Sequence, residues 1–236
     1  MKLSVRLDEL HARVKSNKWM FYFWVFCRFS LAAGFVLAGY VKVIGERFTN
    51  LSNNQPMGHY LEALHHTGFY YTFIGVAQML AAILLLFNRT ALLGAVLYFP
   101  IILNICLLSI AVRFEGSLIS SPLMVLANLY LLCWDYDRIK LILPFKQQVT
   151  NVPRPINRRF PTLFFCGVVA TIISLVIVLT QFIYDIKPRN TRSDCVLQCK
   201  RNKYPNACEV FCDDIHRDGK PLEQALKRYH QASGSR

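Results

Sequence analysis

The chain has 236 residues, of which 54% are hydrophobic and only 17% are charged, and its formal net charge is +13. In a soluble domain about a quarter of the residues are charged, so this composition excludes an ordinary soluble protein and predicts a membrane protein. The basic residues lie beside apolar segments, where lipid headgroups and membrane topology explain them better than nucleic acid does. We therefore expect membrane lipids, and no nucleic acid, among the partners.

The N-terminal segment, residues 1–19, is basic and amphipathic. The apolar run that follows it is too long for the hydrophobic region of a secretory signal, and no small-residue cleavage site closes that run at the expected distance. We expect the run to stay in the protein as a membrane anchor.

Five apolar segments are long enough to cross about 30 Å of hydrocarbon as helices. They lie near residues 20–45, 68–87, 90–112, 117–134 and 161–184. Because backbone polar groups in lipid must be satisfied internally, these runs predict helices. The second and third runs are separated only by Asn88 and Arg89, which predicts a tight antiparallel hairpin.

The predicted fold is all-α, a polytopic membrane protein. A four-span bundle over residues 20–134 is followed by a basic, proline-containing linker over 135–160 and a fifth transmembrane helix over 161–184. The remaining residues, 185–236, form a cysteine-rich helical module.

The loop charges predict the orientation of the chain. Lysine and arginine concentrate in segment 1–19 and linker 135–160, and such loops stay on the cytoplasmic side. The module at 185–236 is then periplasmic, in a bacterial inner membrane. Its own eleven lysines and arginines oppose this orientation, but large extramembrane domains translocate largely regardless of charge.

Two stretches of the bundle resemble one known family. The first is CRFSLAAGFVLAGYVKVIG, from Cys27 to Gly45, and the second is GVAQMLAAILLLFNRTALLGAVLYFPIILNI, from Gly75 to Ile105. The first combines an arginine, small residues and a Gly-x-x-Lys element at Arg28, Gly34, Gly39 and Lys42. Over about residues 22–135 the chain is similar to DoxX-like membrane proteins. The resemblance implies a four-helix membrane bundle. It implies no single activity, since members are linked to quinone-coupled sulfur oxidation, thiol redox assemblies and chaperone-like roles.

Five polar residues fall inside the predicted spans: Arg28, Lys42, Gln78, Asn104 and Asn128. Burying polar groups in lipid costs free energy, so these residues raise the hypothesis of a ligand site. We expect no cofactor, and the alternative is a quinone. Interhelical hydrogen bonds explain the three amides more simply.

The two charged residues of this set also have simple structural explanations. Arg28 could pair with Asp135 or Asp137 at the end of the fourth span. Lys42 could extend its charge to the interface or pair with Glu46, Glu62 or Glu115.

Four cysteines in the module form two C-x-x-x-C pairs, Cys195 with Cys199 and Cys208 with Cys212. Asp194 or Ser193, and then Asn206, are candidate caps for two short helices around the turn between the pairs. Antiparallel helices would place Cys195 opposite Cys212 and Cys199 opposite Cys208, although four cysteines allow three connectivities. In an oxidising compartment we expect structural disulfides, because about 50 residues cannot bury a large core.

A redox-active disulfide and a metal site remain alternatives for these cysteines. Both are less typical of C-x-x-x-C than of C-x-x-C spacing. We expect no metal.

No set of nucleophile, base and orienting group is apparent, so we assign no catalytic residue. The sequence favours an accessory or assembly subunit of a larger membrane complex, whose module docks another membrane or periplasmic protein. The alternatives are a subunit of a membrane thiol or sulfur–quinone oxidoreductase and a small-solute transporter.

Overall fold

The computed structural model describes residues 2–142 and 157–234. The basic and proline positions of the predicted linker between 143 and 156 lie outside the described residues. In chain order the helices are α1 (Lys2–Lys15), α2 (Lys18–Val43), α3 (Pro56–His65), α4 (Phe69–Leu86), α5 (Ala91–Ala111), α6 (Glu115–Leu118), α7 (Ser120–Trp134), α8 (Tyr136–Ile142), α9 (Thr162–Ile177), α10 (Arg192–Cys199), α11 (Pro205–His216) and α12 (Leu222–Ser233).

Five segments of this helical chain are long and apolar enough to cross a membrane. They are Lys18–Val43, Phe69–Leu86, Ala91–Ala111, Glu115–Trp134 and Thr162–Phe182. The all-α, polytopic fold predicted from the sequence is therefore confirmed, and the protein is a multi-pass membrane protein. The fifth segment ends in a π-helical turn, Val178–Phe182, which the sequence did not predict.

The described chain divides into two compact units, each assembled from several segments. Of the described residues, the first unit contains 2–37, 77–102, 123–142 and 157–173, and the second contains 38–76, 103–122 and 174–234.

The first unit is held by close helix packing. At Gly94 of α5 a Cβ atom would lie 2.7 Å from the backbone nitrogen of Leu85 in α4, so only glycine permits the predicted hairpin to close this tightly. The rings of Phe35 and Tyr98 are stacked with their centroids 3.5 Å apart. Asn17, at the start of α2, forms an isolated parallel β-bridge with Asn157, which ties the segment before α9 to α2.

The second unit contains the cysteine-rich module and the segments that hold it. Tyr184 donates a hydrogen bond of 2.6 Å to the carbonyl of Ile110, and Arg113 donates one of 2.6 Å to the carbonyl of Ile186. Asn54 donates a third bond, of 2.9 Å, to the carbonyl of His216 in α11. The module is thus attached at several points to the segments that flank α3, α5 and α6.

The helix starts in the module differ from the predicted ones. The cap of α10 is Thr191, whose hydroxyl accepts a hydrogen bond from the backbone N–H of Asp194, so the candidates Ser193 and Asp194 were wrong. Helix α11 follows Tyr204 without a side-chain cap, and Pro205 occupies its first turn, where its missing N–H leaves no donor unsatisfied. Asn206 is therefore not the cap either.

Candidate functional site

The four module cysteines are joined as two disulfides, Cys195 to Cys212 and Cys199 to Cys208. This is the pairing that antiparallel helices would give, and it links α10 to α11. The bonds lie in a small core with Ile186, Phe211 and Ile215, which in turn contacts Ala225 and Tyr229 of α12.

All four cysteines are almost fully buried, with at most 1% of each residue exposed. A thiol–disulfide exchange partner must reach a sulfur atom, and here the surrounding core covers them. The sulfur atoms of Cys199, Cys208 and Cys212 lie within 4.8 Å of one another. In disulfides, however, they offer no thiolate to a metal, so the geometry favours a structural role.

Beside the hairpin lies an open, largely polar cavity of about 1080 Å³, which we call the tail cavity. Its walls come from the end of the fifth span, from the segment leading into α10, and from the turn between α10 and α11. Five cationic side chains line it against three carboxylates: Lys187, Arg189, Lys200, Arg201 and Lys203 against Glu115, Asp185 and Asp194. The tail cavity therefore carries a net positive charge.

The inner wall of the tail cavity is fixed by Glu115. Its carboxylate accepts a hydrogen bond from Arg189 and lies 4.0 Å from the ammonium of Lys187. Lys187 is buried, and this burial lowers its pKa, while the charge of Glu115 opposes the shift. Gln198 of α10 donates a hydrogen bond of 2.6 Å to the carbonyl of Lys187, which holds the segment against the hairpin.

The cations on the outer rim of the tail cavity are exposed and, among the described residues, have no carboxylate partner. Lys200, Arg201 and Lys203 are exposed, and within the described part of the chain none of them forms an ion pair. The ammonium of Lys203 lies 5.4 Å from the ring centroid of Tyr204. These three charges are available to an external anion.

The five polar residues singled out in the spans are divided between the two units. Arg28, Gln78 and Asn128 belong to the first unit, whereas Lys42 and Asn104 belong to the second. Gln78 and Asn128 are buried, and Asn128 donates a hydrogen bond of 3.1 Å to the carbonyl of Ala95. Asn104 is exposed on α5.

Arg28 is a buried packing element of the first unit. Its Nε donates a hydrogen bond of 2.7 Å to the carbonyl of Leu85, and its Nη1 donates to the side chain of Asn88. Its guanidinium carbon lies 4.3 Å from the ring centroid of Trp24. Neither acid considered as its partner forms an ion pair with it among the described residues, although the charges of Arg28 and Asp135 interact. Asp135 lies 3.9 Å from Arg138, and Asp137 pairs with His11 and Lys15.

Lys42 does not have the carboxylate partner that was one of its two possible explanations. Its ammonium donates a hydrogen bond of 2.9 Å to the carbonyl of Ala38 and lies 4.2 Å from the ring centroid of Phe48. Glu62 instead pairs with Arg47, and Glu115 with Arg189. The lysine is thus satisfied by its own helix and by an aromatic face.

Sequence reasoning missed the tail cavity. It treated Glu115 only as a possible partner of Lys42 and did not connect it with Arg189, 74 positions later. The one available signal was that both residues flank predicted spans on the same predicted side of the membrane.

One curated relative was found by comparison with known proteins. The chain is 35% identical over 133 residues to the uncharacterized protein YwoB of Bacillus subtilis (strain 168), an alignment that covers 51% of this chain and 80% of YwoB. No family model matches the chain. No solved structure matches it either.

Proposed function

From the premise that this chain belongs to the same family as the uncharacterized protein YwoB, we propose that it is an accessory or assembly subunit of a membrane complex. Its cysteine-rich module docks a partner protein. The tail cavity receives an acidic segment of that partner. We further propose that the four-span part is a DoxX-like bundle, that the protein resides in a bacterial inner membrane, and that the module is periplasmic.

The tail cavity is the observation that supports this docking role. Exposed cations on its rim are not neutralised within the described residues, whereas the cations on its inner wall are held by Glu115. An acidic peptide would complement the rim electrostatically, which gives specificity and a faster encounter between partners.

The frame of the tail cavity also suits docking. Two buried disulfides and the bonds from Tyr184 and Arg113 hold its walls before any partner arrives. A pre-formed surface loses less conformational entropy on binding. The burial of the disulfides favours this role over the thiol–quinone alternative, which needs a reachable sulfur.

Quantitative co-purification of the full chain from gently solubilised membranes tests the proposal. Arg201→Glu reverses one rim charge, and Lys227→Glu makes the same charge change at an exposed position of α12 outside the tail cavity. We expect Arg201→Glu to reduce recovery of the partner severalfold and Lys227→Glu to leave it unchanged. Recovery of the chain alone, or equal loss in both variants, would contradict the proposal.

A further inference from the structure

A second cavity lies in the first unit, between α2, α7 and α9. Its volume is about 720 Å³, within the range of about 300–1,000 Å³ of typical ligand sites. Phe23 and Phe26 of α2, Leu123 and Met124 of α7, and Leu163 and Phe164 of α9 are among the residues that line it. We call it the span groove.

The lining of the span groove suits a hydrocarbon chain. The hydroxyl of Tyr130 is used in a hydrogen bond of 3.0 Å to the carbonyl of Met20, and that of Thr171 in one of 2.9 Å to the carbonyl of Gly167. At Gly167 no atom lies within 4 Å of the position that a Cβ would take. The groove thus offers apolar volume without a charged group in its lining.

A cationic segment immediately precedes the α9 residues that line the span groove. Arg158 and Arg159 are exposed and come shortly before Leu163, the first α9 residue in the lining. Neither arginine forms an ion pair with any residue that the structure describes. Their charges are therefore free to meet an anion.

This cationic segment is held in place rather than loosely attached. Asn17 donates a hydrogen bond of 2.8 Å from its side chain to the carbonyl of Arg159. Phe160 packs its ring on Trp19, with centroids 5.2 Å apart, and on Phe165, with centroids 4.9 Å apart. Tryptophan, here Trp19, is typical of the level of the lipid headgroups.

We propose that the span groove and these two arginines form a binding site for one anionic phospholipid. An acyl chain occupies the groove, and the phosphate group is bound by Arg158 and Arg159. The apolar lining accommodates the acyl chain, and the two guanidinium groups bind the phosphate with several donors. An anionic headgroup is preferred over a zwitterionic one, because the ammonium group of the zwitterionic headgroup is repelled by the two arginines. This inference does not depend on the proposed docking role of the module.

Native mass spectrometry of the delipidated full chain tests the site, with dioleoyl phosphatidylglycerol and dioleoyl phosphatidylcholine as the probes. We expect tight binding of one phosphatidylglycerol and weak binding of phosphatidylcholine. The double variant Arg158→Gln/Arg159→Gln should weaken phosphatidylglycerol binding by about 25-fold, about fivefold for each guanidinium lost. Arg89→Gln, an exposed arginine in the α4–α5 turn, is the control and should change little.

A second pair of variants tests the groove itself. Gly167→Leu places a side chain into the open volume and should weaken binding of phosphatidylglycerol by about tenfold. Ala170→Leu makes a similar change at an exposed position of the same helix outside the lining and should leave binding intact. Equal affinity for both lipids, or equal effects of the two leucine variants, would overturn the proposal.

Discussion

The guanidinium of Arg189 donates a hydrogen bond to the carboxylate of Glu115, and this pair joins the module to the short segment that precedes α7. The same carboxylate lies 4.0 Å from the ammonium of the buried Lys187. One acid therefore contacts both cations on the inner wall of the tail cavity, whereas no carboxylate of the described residues forms an ion pair with the rim cations. The distribution of charge in the tail cavity depends on this contact.

Glu115→Gln should loosen the segment around Lys187. The ion pair is partly exposed, so its loss costs about 1 kcal/mol, after allowance for solvent screening, and should accelerate local opening about fivefold. Hydrogen exchange of the peptide around residues 184–191 measures this opening. Glu209→Gln, at an exposed carboxylate of α11, is the control. Unchanged exchange in Glu115→Gln would show that the contact does not hold the segment.

Removal of the disulfides should destabilise the module unequally. The Cys195–Cys212 bond spans 17 positions and the Cys199–Cys208 bond spans 9, and a longer closed loop stabilises more. Replacement of the first pair by alanine should cost about 3 kcal/mol and replacement of the second about 2.5 kcal/mol. Hydrogen exchange at Phe211 in the module core reports both, and the exposed Cys166→Ala serves as control. A larger effect of the shorter loop would contradict the loop-entropy explanation.

Arg28→Met should destabilise the first unit without an effect specific to partner binding. The substitution leaves the carbonyl of Leu85 and the side chain of Asn88 without their donor, which costs about 2 kcal/mol. Thermal unfolding in detergent measures the loss, and Arg89→Gln in the neighbouring turn provides the comparison. Wild-type stability combined with lost partner recovery would instead indicate a functional role for Arg28.

The α10–α11 contact should weaken in acid. The hydrogen bond from Arg192 lowers the pKa of Asp213 below its ordinary value of 3.8. A lowered pKa stabilises the folded module at pH values above 3.8, and this contribution is lost as the pH falls through the folded-state pKa. Asp213→Asn should therefore flatten the acid unfolding curve of the module below about pH 4. If the stability of Asp213→Asn falls with decreasing pH as steeply as that of the wild type, this contribution is excluded.

The two ends of the chain should lie on opposite sides of the membrane. An odd number of spans, here five, puts the two ends on opposite sides, and the loop charges predict a cytoplasmic N-terminus. Cysteine introduced by Ala232→Cys in α12 should react with a membrane-impermeant maleimide in intact cells. Cysteine introduced by Ala12→Cys in α1 should react only after lysis. The reverse pattern would overturn the predicted orientation and, with it, the proposed periplasmic position of the module.

The sequence predicts the spans well because lipid permits little else. An apolar run of about 20 residues must form a helix, because only a helix satisfies its backbone hydrogen bonds internally. The predicted run 90–112 accordingly differs by one residue at each end from Ala91–Ala111. The capping residue of a helix is harder to predict, because several polar residues near the start of the helix could cap it. For α10 the prediction named Ser193 and Asp194, whereas the cap is Thr191.

Contacts between distant segments could not be predicted in the same way. The sequence does not indicate that Glu115 and Arg189 are in contact. The tail cavity could not be predicted, because its walls come from segments that are far apart in the sequence. Lys42 is a second example. The sequence allowed either a carboxylate partner or extension of the charge to the interface, and it did not indicate that a carbonyl of its own helix and the ring of Phe48 contact the ammonium.

Site-specific photo-crosslinking in native membranes tests the docking role most directly. A photoreactive residue at Leu197 lies in the lining of the tail cavity, and one at Val210 lies on the exposed surface of α11, outside that lining. We expect a discrete adduct with one partner protein from position 197, its loss when Arg201→Glu is added, and no such adduct from position 210. Equal crosslinking from both positions, or an adduct at 197 that persists in Arg201→Glu, would contradict the proposed docking of an acidic segment in the tail cavity.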